Sequence, residues 1–517
     1  MATNSLFSLL SHISAVIIAF FLSPFIFRQL GDARYGVWAL FGEVLLYYGL
    51  LDLGIRGAIN FYVGRSLAGQ QNVAIPRYIS SAFVGLLCIS SVAALIGIGG
   101  VFLLQDTLIT TGVNRIDVLG AAILFILLFC IGLPAEVFSA VLVGSRRAHL
   151  VSSAEITGRL LSAALMYIGL VFAPSLMVLA LAQIIGRFCY WAFIRRHIKR
   201  YVPEARLSFG MAQYATFKEL IGYGSQNAFL SVSWLLLGRK DATLITLIIG
   251  PSAVAVFLFA RLLVGSISDL CSAVTQSLRP NLIYHWVRNE FEEAYTIYYT
   301  GTRYSSFLAV SAGAFFLVFG KSFLSLWIGN RFVTGPIVER TDVILYILLA
   351  AHLPRMMHGM SWQLLFAANK QKPFVAVAAC EAIVNVGLAI VLLQYWGVAG
   401  AALGTLIQMS ISYLIVMPIL LPRLVGISIR RFVVEGVGRS LLSGLCLIAT
   451  SWLLEQFLPV TSWPSMLRSA AIFSTVAIVL ALSFVIRPGD RLLLTQRVLT
   501  ILGKIRSDAK RIAVSRS

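Results

Sequence analysis

The sequence predicts an all-α polytopic membrane protein of about fourteen transmembrane helices: two pseudo-symmetric six-helix lobes, then a C-terminal helix pair. Three observations carry this. The 517 residues are 59% hydrophobic and only 12% charged, with a mean hydropathy of +0.88, too apolar for a water-facing surface of this size. Roughly fourteen apolar runs approach the ~20 residues that cross a bilayer as a helix. The two halves of the chain also resemble each other at an offset of about 220 residues, as in transporters built from repeats.

The first run, 6–27, lies in MATNSLFSLLSHISAVIIAFFLSPFIF. It has no basic n-region and no small-residue cleavage site, so it reads as a span and not as a removed signal peptide. Runs 37–55, 78–104, 118–143, 151–172 and 175–194 complete a first lobe over 1–200. The basic segment RRHIKRY (195–201) follows, and 201–221 reads as a cytoplasmic amphipathic connector on the inner surface. Runs 222–249, 252–278, 304–328, 343–367, 373–394 and 398–421 form a second lobe over 222–425. Runs 437–458 and 466–486 give the extra pair within 430–486, and 487–517 is a basic cytoplasmic tail. With the N-terminus in the cytoplasm, roughly 30 of the 41 Lys and Arg fall in cytoplasmic loops, roughly 7 outside and about 4 within spans. This bias puts both termini in the cytoplasm, and it accounts for the net charge of +20 without nucleic acid. The longest polar stretches, about 195–221 and 279–303, hold ~25 residues each, too few for a soluble domain of ~100.

The repeat rests on ordered matches. Leu133-Pro134 falls on Leu353-Pro354, Arg146-Arg147 on Lys370 and Lys372 with a short insertion, and Ala154-Glu155 on Cys380-Glu381. Ala180-Leu181 falls on Ala402-Leu403, and LGDARYGVWALF (30–41) resembles IGPSAVAVFLFA (249–260). Six helices per copy relate the copies by an axis along the membrane normal, with a cavity enclosed by the two bundles. The matched prolines predict a kinked helix in each copy.

Ionisable residues inside apolar runs mark function, because each costs ~2.5–3.5 kcal/mol at the bilayer centre. Arg355 is central in 343–367, Arg239, Lys240 and Asp241 lie past the middle of 222–249, Arg261 and Asp269 fall within 252–278, and Glu381 is nearly central in 373–394. The first half contributes Glu43, Asp52 and Glu136, and its deep charges read as acidic. A cationic wall of Arg239, Lys240, Arg261 and Arg355 suits an anionic solute, and Glu136, Asp241, Asp269 and Glu381 are candidates for ion coupling. The blander alternative is inert pairing, Asp241 with Arg261 or Glu381 with Arg355. His352 and His358 flank Arg355 and titrate near neutrality when unperturbed, although such histidines more often only hydrogen-bond within a bundle. The six cysteines lie in apolar runs without a CxxC and are expected as free buried thiols. No cofactor or metal motif is expected: in VFGKS (318–322) the position where a phosphate loop needs Gly is Phe315.

RQLGDARYGVWALFGEVLLYYGLLDLG (28–54) resembles the opening of bacterial polysaccharide and O-antigen flippases, oligosaccharidyl-lipid exporters of the multidrug/oligosaccharidyl-lipid/polysaccharide superfamily. The pattern is carried by Leu30, Gly31, Tyr35, Gly36, Trp38, Leu40 and Asp52-Leu53-Gly54. FKELIGYGSQNAF (217–229) is similar to that family's lead into its seventh helix, and YWGVAGAALGTLIQ (395–408) to its turn joining helices eleven and twelve. The resemblance spans about 28–421. It implies alternating access and a substrate of undecaprenyl-diphosphate-linked oligosaccharide, moved from the cytoplasmic to the outer leaflet of the bacterial inner membrane. It also implies membrane lipids and a polymerase or other glycan-assembly protein as partners. Site residues do not carry over, because Arg28, Arg56 and Arg261 do not align reliably onto the arginines of the lipid II flippase branch. The alternatives are a cation-coupled multidrug exporter of the same superfamily, which deep arginines and the extra helix pair disfavour, and a membrane-embedded O-antigen polymerase or ligase, which the short external loops disfavour. An enzyme is not expected.

Overall fold

A computed structural model describes residues 2–69, 74–103, 105, 114–370 and 372–486, so the basic tail 487–517 lies outside the described residues. Every regular element among them is helical. They are α1 (Ala2–Tyr48), α2 (Ile55–Ala68), α3 (Ile75–Leu103), α4 (Arg115–Gly144), α5 (Ala148–Phe172), α6 (Leu176–Tyr201), α7 (Tyr214–Ile248), α8 (Val254–Val287) and α9 (Phe291–Ile328). Then follow α10 (Thr341–Met357), α11 (Gly359–Ala367), α12 (Lys372–Ser410), α13 (Met417–Val425), α14 (Ile429–Phe457) and α15 (Trp463–Leu480). Among the described residues, eleven helical stretches are long and apolar enough to cross a membrane. Two of them, Leu10–Asp52 and Val377–Val425, are interrupted by glycines with non-helical backbone, Gly31 and Gly397, and make two crossings each. Adding α7, with 35 residues, gives about fourteen crossings. The chain is a multi-pass membrane protein.

The internal repeat is written in the backbone. Gly31 (φ 75°, ψ −179°) and Gly250 (φ 123°, ψ 162°) break the chain at matching places in the 30–41 and 249–260 segments, in a region of φ/ψ space that glycine alone enters cheaply. Arg146 and Asn369 are both left-handed, at φ 62° and 52°. The N–H groups of Ser145, Arg146 and Arg147 bond the carbonyls of Val141, Val143 and Leu142; those of Ala368, Asn369 and Lys370 bond Leu364, Phe366 and Leu365 in the same pattern. Arg147 therefore falls on Lys370, and Arg146 on Asn369, one or more positions from the match expected of the sequence. Fifteen residues separate Pro354 from Asn369 and twelve separate Pro134 from Arg146. The additional turn is spent in a break: α10 ends at Met357, and α11 restarts after His358, which sits at φ −88°, ψ 12°. Pro134, by contrast, lies inside a helix that runs unbroken to Gly144.

Two compact units divide the chain. Among the described residues, the first falls within 2–262, 335–344 and 373–408, and the second within 263–334, 345–372 and 409–486. In the first unit, α2, α3 and α4 interleave Ile55, Ile59, Ile79, Leu86, Val137 and Val141, all fully buried. The 28–54 motif is structural there. Tyr35 stacks on Phe259 at 5.5 Å and 16°, with Phe27 edge-on to both rings. Leu53 and Gly54 are left-handed, and a Cβ on Gly54 would sit 2.4 Å from the Gly224 carbonyl oxygen. The 201–221 connector is tied down by Ser80 and Ser81, whose hydroxyls accept from the N–H of Ser208 (3.0 Å) and Gln213 (2.9 Å). Val202 and Ala205 face in, and Phe209, Met211 and Tyr214 face out.

In the second unit α9 is the axis, packed along α14. Its Arg303 is 2% exposed and donates from Nε to the Glu435 carbonyl at 2.7 Å. That carbonyl lies in a π-helical stretch, Phe432–Gly438, where widened hydrogen bonding turns carbonyls toward side-chain donors. Ser440 Oγ returns a bond to the Arg303 carbonyl at 3.0 Å. Further along, Phe315 meets Phe473 of α15 edge-on at 5.3 Å.

The second span ends close to the expected 55, in a 3-10 turn at Gly49–Asp52, and a separate helix, α2, follows it to Ala68. Two expectations need correction. The supposed polar stretch 279–303 is mostly helix, with α8 and α9 joined by three residues. Hydropathy detects the bilayer-embedded part of a helix and not its length, so polar extensions read as loops. The six thiols are unpaired, but only Cys271 is buried, and Cys88, Cys380 and Cys446 lie on the outer surface. Apolar runs supply lipid-facing positions as readily as core ones.

Gly54→Ala is expected to cost at least ~1–3 kcal/mol through left-handed strain, with the Gly224 clash added. Thermal unfolding of the solubilised protein, followed by size-exclusion fluorescence, should show a lowered transition. At the α8–α9 elbow Glu290 receives His285 Nδ1 and Arg288 Nε, each at 2.7 Å, and these donors hold its carboxyl below the usual value. Stability from this contact is present above the unfolded carboxyl's pKa and is lost as pH falls through the folded one. Hydrogen exchange of residues 285–292 should accelerate in acid relative to a Glu290→Gln reference.

Candidate functional site: a charged cavity in the first unit

Helices α1, α5 and α6 of the first unit enclose a cavity of ≈ 350 Å³ lined by Leu22, Ser23, Trp38, Glu155, Arg159, Ser162, Gln183, Arg187 and Tyr190, among others. α4 and α6 are pinned at one end by Asp117. Its carboxylate accepts from Ser175 Oγ (2.5 Å) and from the N–H of Leu176 and Met177 (3.1 Å each), capping α6. This fixes the two helices that carry Glu136 and Arg187. Arg159 lies one residue from the centre of α5, and Arg187 lies ~2 Å along the axis from the centre of α6.

Each guanidinium is held by a carboxylate and still faces the cavity. Arg159 Nη2 meets Glu155 Oε2 at 3.1 Å, and its Nη1 donates to the Ser11 carbonyl (3.0 Å) and Oγ (3.1 Å). Ser11 Oγ in turn donates to Glu155 at 3.0 Å. Arg187 Nη1 reaches Glu136 Oε1 at 3.5 Å, with 48% of the Arg187 side chain exposed. Its other N–H groups have no protein partner among the described residues. Glu136 Oε2 accepts from Ser139 Oγ (2.8 Å) and Tyr190 OH (3.2 Å). Arg56 is held by Asp52 through Nε at 3.0 Å and through its backbone N–H at 3.2 Å, with 47% of its side chain exposed. Of these three, Arg159 and Arg187 line the cavity and present half-exposed guanidinium donors to it, a pair suited to an anion's oxygens.

The residues expected from the sequence fall as follows. Lys240 Nζ donates to Asp241 Oδ1 at 2.6 Å, and both residues are 4% exposed. Arg261 Nη2 donates to Glu43 Oε1, with Glu43 buried. Asp241 and Arg261 are therefore each ion-paired, though to Lys240 and Glu43 and not to each other. In the first unit Glu381 is half-buried on α12; in the second, Arg355 is half-buried on α10 and Asp269 is exposed on α8. The side chain of Arg239 lies outside the described ones. His352 Nδ1 is bonded to the Leu348 carbonyl (3.1 Å), and His358 Nδ1 to Ser361 Oγ (3.1 Å) while its ring stacks on Phe432 at 4.6 Å. Both are hydrogen-bonded packing residues.

Sequence reasoning missed Arg159, Arg187 and Glu155, and the first half's embedded charges are not all acidic. The signal was present, since Arg159 and Arg187 fall within runs 151–172 and 175–194. The depth argument applied to Arg355 would have found both.

No protein-family model matches the chain. Of curated proteins, the Uncharacterized membrane protein EpsK of Bacillus subtilis (strain 168) is 23% identical over 509 residues, covering 95% of this chain and 96% of EpsK. Of solved structures, the inward closed conformation of the lipid II flippase MurJ superposes with a TM-score of 0.70 at 13% identity, covering 93% of this chain and 98% of MurJ. An inward-facing multidrug resistance MATE family transporter of the MOP superfamily gives 0.62 at 14% identity, with 80% and 95% covered. The fold is that of the MOP-superfamily transporters. These two structural neighbours are a transporter and a flippase.

Glu43→Ala is expected to destabilise the protein by ~3–5 kcal/mol, since it leaves Arg261 without its buried carboxylate. A Glu43→Leu/Arg261→Met pair should recover most of that loss, measured as the midpoint of thermal unfolding in detergent.

Proposed function

We propose that the chain is a flippase that moves an undecaprenyl-diphosphate-linked oligosaccharide from the cytoplasmic to the outer leaflet by alternating access. The observation that carries this is the cavity of the first unit, where Arg159 and Arg187 sit at mid-helix depth with unspent N–H donors. A diphosphate offers oxygens that accept paired, charge-assisted hydrogen bonds from such groups. The polyprenyl tail stays in lipid while the headgroup enters the cavity. Lys240, Arg261, Arg355 and Arg239 remain proposed substrate contacts, the first two only when their carboxylates release them. Asp241, Asp269 and Glu381 remain proposed ion-coupling groups. The fold of a lipid II flippase over 93% of the chain, against 80% for the multidrug transporter, supports the flippase reading, because the additional coverage leaves room for α14 and α15. A bacterial inner-membrane location, cytoplasmic termini and a polymerase or other glycan-assembly partner follow from the same reading.

The multidrug reading is the second. A cationic drug would need Glu155, which already lines the cavity, or Glu136 to be released from its arginine. Headgroup translocation in proteoliposomes should fall at least ~10-fold in Arg159→Ala and Arg187→Ala, the worth of one charged hydrogen bond of ~1.5 kcal/mol or more. A folded double variant that flips at the wild-type rate would remove the cavity from the mechanism. Wild-type vesicles that export cationic dyes but not lipid-linked sugar would establish the drug reading instead.

A further inference from the structure

Trp38 of the 28–54 motif lines the charged cavity, and packing does not use all of it. The residue is half-buried, and its ring meets Phe125 at 5.4 Å and 57°, tilted and not stacked. Gln183 and Ser162 line the same cavity. The Trp38 indole N–H, the Gln183 amide and the Ser162 hydroxyl make no hydrogen bond among the described residues. Unpaired polar groups among apolar helices are costly, and a ligand or water that completes them recovers that cost.

These three groups share one level of the cavity. α5 and α6 pack antiparallel, Gly158 against Gly186, with residues 173–175 joining them. On α5, Ser162 lies three residues from Arg159 toward that turn. On α6, Gln183 lies four residues from Arg187 toward the same turn. Each neutral group is therefore ~4.5–6 Å along the axis from its arginine, on the same helix face. Arg34 Nη1 donates to the Pro174 carbonyl at 3.0 Å, which fixes the start of the second half of α1 beside the turn, and Trp38 follows Arg34 by one helical turn. The wall thus has two levels. Glu155, Arg159 and Arg187 form the charged one, and Trp38, Ser162 and Gln183 form a neutral one nearer the turn.

A diphosphate needs only the charged level. The neutral level matches a sugar. An indole offers apolar surface to the C–H bonds of a pyranose and an N–H at its edge, and an amide with a hydroxyl supplies both donors and acceptors for ring hydroxyls. The cavity of ≈ 350 Å³ is at the small end of ligand sites, which run from ~300 to ~1,000 Å³, and has room for a diphosphate and about one ring. We infer that this cavity selects the first sugar of the lipid-linked headgroup, a neutral pyranose held by Trp38, Gln183 and Ser162 while Arg159 and Arg187 hold the diphosphate. This rests on the flippase reading.

The test is calorimetric titration of the solubilised full-length protein with two diphosphate diesters, farnesyl-diphospho-N-acetylglucosamine and farnesyl methyl diphosphate, which carry the same charge and differ in the sugar. Wild-type protein should bind the sugar probe at least ~10-fold more tightly, the worth of about two neutral hydrogen bonds. Trp38→Leu and Gln183→Leu should each lower that ratio ~3-fold or more and leave the Kd of the methyl probe unchanged. Arg187→Ala should weaken both probes alike. Should Trp38→Leu fail to fold, Gln183→Leu carries the comparison, since its amide makes no hydrogen bond among the described residues. A wild-type ratio near one, or a folded Trp38→Leu or Gln183→Leu protein that keeps the full ratio, would overturn this inference and leave the flippase reading standing. Folded wild-type protein that binds neither probe would overturn both.

Discussion

A charge among lipid-embedded helices must find a counter-charge or hydrogen bonds within the protein, and this constraint organises the molecule. A lone ion in that setting costs several kcal/mol, and a partner recovers that cost only at good geometry. Glu43 with Arg261, Lys240 with Asp241, Asp52 with Arg56, Glu155 with Arg159 and Glu136 with Arg187 are five solutions to this one problem. They differ in exposure. The first two are enclosed, and Glu43–Arg261 also ties together segments far apart in the chain. In the last three the guanidinium is nearly half exposed while its carboxylate sits deeper. An enclosed pair acts as a fastener, and a pair with one open face can exchange its partner for a ligand.

Much of the architecture was legible because apolar length and internal repetition are properties of the chain itself. The match of 30–41 with 249–260 became two left-handed glycines at corresponding positions, and the basic turn after Pro134 became a hydrogen-bonding pattern copied at Asn369. The register of that second match could not be read, because the three additional residues sit in an apolar stretch where sequence is degenerate. They produce the break at His358, which hydropathy does not see.

The site was legible in kind and not in membership. Depth identified ionisable residues as the ones that matter, but pairing is a three-dimensional property. Arg261 and Glu43 are 218 positions apart, and nothing in the chain marks them as partners. Arg159 carries its counter-charge one turn away at Glu155, a spacing that looks like an ordinary solvated helix face. That local neutrality lets a central arginine pass for surface decoration.

The clasp of Arg303 to the Glu435 carbonyl bears on the chain's history. α14 and α15 could be taken for a late addition to a twelve-helix ancestor. Yet the guanidinium buried at the heart of α9 finds an acceptor in α14, and Phe315 finds its cover in α15. Removing α14 would take the Glu435 carbonyl away from the Arg303 guanidinium, and removing α15 would uncover Phe315, so the two helices serve the packing of α9 itself.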